Sequence, residues 1–271
     1  MKPVRQPAVR GTFYPSDPAT LLRDIRRYTP SDSRRTPCLG GVVPHAGYMY
    51  SGHVAGAVYS RMQLPRRLVL LGPNHTGYGK PLAIISSGMW LTPLGEAPID
   101  EALAQQLSAR FPLLQEDTEA HLKEHCLEVQ IPFLQALVSQ FSFVPIVIGT
   151  GRLELLMRLG ETLAELLQSD APDALILASS DMNHYEPDGI TRTKDAKATE
   201  RILELDAPGL HEVVRRENIT MCGVAPTIAM IAAARKLGAE RAELVKYATS
   251  ADISGDRDYC VGYAGIVVTR Q

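Results

Sequence analysis

Long apolar runs are missing: no uninterrupted apolar stretch reaches the roughly 18 residues that argue for a membrane span. The opening MKPVRQPAVRGTFYP has no apolar leader core either, so a cytoplasmic protein without membrane contact is expected. An excess of basic charge is also lacking. Lys and Arg number 28 against 30 Asp and Glu, the formal charge is -2, and basic residues gather only in pairs such as Arg26-Arg27 and Arg215-Arg216. Such a chain has little to neutralise phosphates with, which excludes nucleic acid as an expected partner. Cysteine is sparse, at 38, 126, 222 and 260, with no CxxC pair. A chain of 271 residues with 45 % apolar content can build its core without disulfides, so reduced thiols are expected. Cys38, Cys126 and Cys260 read as small buried apolar side chains. Neither a low-complexity linker nor an internal repeat interrupts the chain, and one domain over 1–271 is expected.

What is present is alternation. Runs rich in Val, Ile, Leu or Ala predict strands near 40–44, 67–72, 82–86, 142–148, 173–179, 242–248 and 261–268. Three- and four-residue apolar spacing predicts helices over 53–62, 99–110, 127–140, 153–168, 191–205 and 226–237. This order predicts an α/β fold: a mostly parallel or mixed central sheet with helices on both faces. SSGMWLTPLGEAP reads as a projecting loop or hairpin, and SADISGDRD as an exposed loop joining two antiparallel final strands with nothing helical between them.

Three of the predicted strands run into residues that bind metals or move protons. GGVVP delivers His45, RLVLLGPN delivers His75, and DALILASS delivers Asp181 and His184. In an open parallel sheet ligands bind at the carboxyl ends of the strands, so one site at that edge is the working expectation. His45 and His75 are candidate metal ligands, although either could merely cap a strand. Cys222 is the candidate third ligand, because Met221-Cys222-Gly223 precedes a helix with Pro226 in its first turn, where the dipole favours thiolate. It could instead be an inert thiol, or a nucleophile served by His184 as base and Asp181 as orienter. His184 is the candidate general acid/base. Asp181 is an adjoining partner, an occasional ligand or a helix cap. His121-Leu122-Lys123-Glu124-His125 also matches the H-x-x-E-H pattern of inverted zinc peptidases, which needs a continuous helix, whereas FPLLQEDTEA before it is only weakly helical. His53 and His211 read as ordinary surface or packing residues.

Taken together, PHAGYMYSGHVAG (44–56), LLGPNHTG (70–77), KEHCLEVQIPFLQ (123–135), SSDMNHY (179–185), MCG (221–223) and the closing YATSADISGDRDYCVGYAGIVV resemble the Memo family. The resemblance implies a fold like that of class III extradiol dioxygenases, and a metal site of His45, His75 and Cys222 beside Asp181 and His184. It also implies pocket-lining or supporting roles for Glu124 and His125, with Phe13, Tyr14 and Tyr48 as aromatic walls. The related dioxygenases complete two histidines with a carboxylate; Cys222 departs from that and adds softness, making copper and zinc more competitive against iron.

The expected function is therefore a non-heme metal-dependent redox enzyme, with Fe(II) as first choice of cofactor and Cu or Zn as alternatives. Its partner would be a small-molecule or peptide substrate. The resemblance further implies a link to AMMECR-like and radical S-adenosylmethionine proteins. A zinc-dependent amide or peptide hydrolase, and a non-catalytic peptide- or protein-binding module, are the alternatives.

Overall fold

Runs such as Leu68–Leu71 have no polar face, so a strand built from them must be covered on both sides. In the computed structural model, which describes residues 3–30 and 34–270, that is where they lie. Strands Gly40–Val43, Leu175–Ser179, Arg67–Pro73 and Ser142–Ile148 stand side by side in that order, all parallel. Beyond Ser142–Ile148 comes the antiparallel Leu82–Ile84, then Gln115–Glu116. On the other flank Cys260–Thr269 runs antiparallel to Gly40–Val43 and carries Arg241–Thr249, also antiparallel, as the edge strand. The expected α/β class with a mixed sheet is the observed one, and the final two strands are antiparallel as expected.

Gly40 and Gly41 show that both faces are covered closely. A Cβ at Gly40 would come within 2.6 Å of Met230 on the helix Val224–Lys236, and one at Gly41 within 2.2 Å of Met62, just past the helix Tyr48–Arg61. Adjacent residues on a strand point to opposite faces, so these helices lie on opposite sides. A second layer, Leu153–Asp170, packs on Val224–Lys236 through Gly160, where a Cβ would stand 2.4 Å from the Ala229 carbonyl oxygen.

Several elements differ from expectation. SSGMWLTPLGEAP forms strands Met89–Thr92 and Gly95–Pro98, a hairpin that pairs with Val4–Arg5 in a separate three-stranded sheet. The helix expected over 127–140 is a 3-10 turn, Glu128–Gln130, followed by Ile131–Leu137. Pro132 has no N–H to give a continuous ladder, and the α-helix starts afresh beside it. The loop expected within SADISGDRD contains one helical turn, Ala251–Ser254, ended by Gly255 in the left-handed region (φ 78°). Helices Pro18–Tyr28 and Ala207–Arg216 were not expected. Each has an aspartate accepting a backbone N–H at its start and Pro in its first turn, which are signals the apolar spacing does not register. Among the described residues no helix is long and apolar enough to cross a membrane.

The tight contact at Gly160 gives a stability test. Gly160→Ala gains up to about 1 kcal/mol of helix propensity, but the overpacked contact is expected to outweigh it, lowering the unfolding free energy by about 1–3 kcal/mol. Gly189→Ala, where nothing lies within 4 Å of the new methyl, should instead be neutral or slightly stabilising. Denaturant titrations of the two variants check this; equal effects would refute the packing argument.

Candidate metal centre

Because the central strands are parallel, their carboxyl ends share one edge. His45 and His75 each follow a strand end by two residues, as does Asp181. They meet across a cavity of about 580 Å³, whose walls also include His125, His184 and Cys222. The His45 and His75 rings lie 5.1 Å apart, and His125 packs 4.6 Å from His75 and 5.4 Å from His45. Donor atoms of these three histidines all lie within 4.8 Å of one another. Metal–nitrogen bonds of about 2 Å place ligand atoms of one ion within roughly 4 Å of each other, so small side-chain adjustments would bring the trio onto a common ion. Cys222 stands outside this trio and touches it at His45 alone, its sulfur 3.2 Å from Nε2.

Hydrogen bonds behind the rings fix which nitrogen faces the cavity. Ser179 donates its hydroxyl proton to the Cys126 carbonyl (2.7 Å) and accepts from Gln130 Nε2 (2.9 Å). Toward His45 Nδ1, 2.9 Å away, it can therefore only accept. His45 carries its proton on Nδ1, and the Nε2 lone pair is left for the cavity. His75 Nδ1 lies 2.9 Å from Glu124 Oε1, and His184 Nδ1 lies 2.9 Å from the Thr220 carbonyl oxygen. Both partners are acceptors, so each ring carries a proton on Nδ1 and turns its Nε2 toward the cavity. This is the arrangement by which proteins orient metal-binding imidazoles.

Glu124 is buried and fully engaged. It accepts the backbone N–H groups of His75 (2.6 Å), His125 (3.0 Å) and Cys126 (3.0 Å) in addition to the His75 ring. Burial alone would raise its carboxyl, but the hydrogen bond and charge of His75, helped by these N–H donors, hold it down at about 2. Burial, and then the neighbouring imidazoles, keep His45 well below the usual histidine range and His125 at about 4, so both rings are neutral near pH 7. Cys222 does not have the lowered pKa its helix position predicts. Although its sulfur borders the cavity, burial and then the charge of Asp181 push the thiol well up, and without a cation it stays protonated. In that form it can donate to His45 Nε2.

The alternative arrangements fare differently. Asp181 Oδ1 accepts the backbone N–H of His45 at 2.8 Å, so it braces the His45 loop instead of orienting His184 or capping the next helix. With Cys222 against His45, no Cys222–His184–Asp181 relay forms. The H-x-x-E-H residues do not share a helix: Glu119–Leu122 ends before Glu124. His121 is enclosed, with Nδ1 on the Asp117 carbonyl oxygen, while Glu124 is too engaged to act as a hydrolytic base. Phe13 lines the cavity and lies 4.7 Å from the His125 ring. Tyr14 and Tyr48 form a buried layer behind it, their hydroxyls on Glu128 and the Val129 carbonyl. Sequence reasoning missed Thr220 and Tyr185. Nothing in Ile-Thr-Met marks Thr220, and Tyr185 is distinguished only by its left-handed backbone, φ 63°.

The model of Memo-like proteins matches residues 5–267. The chain belongs to the Memo family. A MEMO1 family protein of Methanopyrus kandleri is 42 % identical over 280 residues, covering 98 % of this chain and 99 % of the relative. Another from Pyrobaculum aerophilum is 43 % identical over 279 residues, with the same coverage. Among solved structures, an uncharacterized protein of Escherichia coli K12 superposes with a TM-score of 0.57 at 14 % identity, over 82 % of this chain and 98 % of that one. That likeness is one of fold alone.

Two measurements probe this description of the Memo-like site. Glu124→Gln keeps the shape but removes the charge and most of the acceptor capacity, and is expected to weaken Zn(II) binding by about 10–100-fold in competition with a chromophoric chelator. Unchanged affinity would refute the bracing role. His121, whose pKa burial lowers to about 4, contributes stability that is fully present above the unfolded value of about 6.5 and is lost as pH falls through about 4. Between about pH 7 and 4 the native chain should lose up to about 3 kcal/mol more unfolding free energy than His121→Phe. Parallel pH profiles for the two would show that His121 is not the buried neutral base described.

Proposed function

We propose that this Memo family protein is a metal-dependent redox enzyme in which His45, His75 and Cys222 hold Fe(II), or copper in its place. His125 stands within reach of the same ion. The observation that carries this reading is the set of three imidazoles, His45, His75 and His184, whose Nδ1 positions are all committed to acceptors. With Nδ1 of each ring already committed, the Nε2 atoms are what the rings offer to a cation or a substrate entering the cavity. One thiol and two imidazoles make a donor set to which iron, copper and zinc are all suited. Bound there, Fe(II) would supply the oxygen-binding and electron-transfer chemistry that no side chain provides.

The chain's own residues supply the remainder. Asp181 holds the His45 loop and Glu124 the His75 ring, so the donors are set before any ion arrives. His184 lines the same cavity, with its Nδ1 held by the Thr220 carbonyl oxygen. His184 is thus the residue to accept a proton from a substrate hydroxyl and return it to product. The cavity suits a small molecule or one side chain of a peptide, with Phe13 as an aromatic wall.

Protein purified without added ions is expected to contain iron or copper in stoichiometric amount and to consume oxygen with a catechol panel. His45→Ala and His75→Ala should lose the metal, while His184→Gln should keep it and lose turnover. Stoichiometric zinc without oxygen uptake would move the assignment to hydrolysis. Metal-free protein, with His45→Ala and Cys222→Ala unchanged in every assay, would end it.

A further inference from the structure

His184 stands at the start of a short strand, His184–Glu186, at the cavity wall, and the hold on it leads inward to a carboxyl group outside the cavity. Asp195, on the helix Asp188–Leu203, is completely enclosed. Its Oδ1 accepts the backbone N–H of Asn183 at 2.8 Å, and its Oδ2 accepts the Tyr247 hydroxyl at 2.7 Å. Gly262 makes room for it, since a Cβ there would come within 1.7 Å of Oδ2. Asn183, itself enclosed, accepts the backbone N–H and the hydroxyl of Thr220 on its side-chain oxygen, at 3.0 and 3.1 Å. Thr220 then holds His184 twice: its hydroxyl oxygen accepts the His184 backbone N–H (2.7 Å), and its carbonyl accepts from ring Nδ1 (2.9 Å).

We infer that Asp195 is a positioning residue for His184, acting through Asn183 and Thr220 to fix the ring's orientation and its Nδ1-protonated tautomer. The inference rests on the acid/base reading of His184 given above. No link in the chain is missing, and the Asn183 amide is steadied further by its Nδ2 donating to Glu186 at 2.7 Å. The same links fix Thr220, two residues before Cys222, so the acid/base and the thiol are held by one device.

Asp195 is also placed to make that hold respond to pH. Burial raises its carboxyl to about 7, against the opposing pull of the Tyr247 hydroxyl and the Asn183 N–H. The charged and titratable groups facing it are Arg192 on its own helix, Glu186 at the end of the short strand, and Tyr247 on the edge strand. As a carboxylate it accepts from both neighbours. Once protonated it carries an O–H of its own, which competes with the Tyr247 proton for the same contact, and the grip on Asn183 changes.

The test is NMR of the full chain with ¹⁵N-labelled imidazoles, His184 being assigned by the signal lost in His184→Gln, over about pH 5 to 9. The native chain is expected to show the Nδ1-protonated tautomer of the neutral ring, with an inflection near pH 7, additional to the ring's own ionisation, that reports Asp195. Asp195→Asn, which keeps the shape and still accepts from Asn183, should lose that inflection. Asp195→Ala should shift the tautomer balance as well. His184 signals in Asp195→Asn that follow the native chain at every pH would overturn the inference, and this comparison stands even if the alanine variant does not fold. Full oxygen uptake by His184→Gln would instead remove the acid/base role and leave the Asp195 titration as a separate result.

Discussion

The Glu124 carboxylate is the interaction on which the site depends. A buried charge is costly unless hydrogen bonds surround it, and here three backbone N–H groups and an imidazole do so. Those donors come from two separate segments, the turn after Arg67–Pro73 and the turn before Glu128–Gln130. Satisfying one carboxylate therefore fixes how these segments meet. With them it fixes His75 against His125, two of the four imidazoles that line the cavity. The Ser179 hydroxyl does the same on the other side with less charge, joining the His45 ring, Gln130 and the Cys126 carbonyl.

The sheet was legible in the sequence because its central strands are buried on both faces and therefore written as unbroken apolar runs. Strand ends expected near 44, 72 and 179 fall at 43, 73 and 179, and with them His45, His75 and Asp181 converge on one edge. What was not legible depends on contacts between distant residues. The thiol of Cys222 follows its surroundings and not its helix, because the charge of Asp181 opposes ionisation. Asp181 supports the backbone 136 residues before it instead of the imidazole three residues after it. Short strands such as Gln115–Glu116 and His184–Glu186 are too brief to carry any periodicity.

His125 marks the boundary between the two kinds of information. Local pattern placed it in a peptidase-like helix with His121, and the fold separates them: His121 turns inward to Asp117, and His125 turns to the cavity. The Escherichia coli structure extends the fold to 14 % identity. At that distance a shared framework says nothing of which donors line the edge, so chemistry has to be argued from the side chains present.

One wall of the cavity comes from the beginning of the chain. Phe13 lies against His125 because Glu128 gathers the Arg5 guanidinium, the Ala8 and Val9 N–H groups and the Tyr14 hydroxyl around itself, more than a hundred residues away in sequence. Contacts so distant in sequence form only when the elements between them are in place. The enclosure is thus complete only once the domain is nearly native. Without that end of the chain His45 and His75 would face an open groove, so the depth of the cavity is a property of the finished molecule.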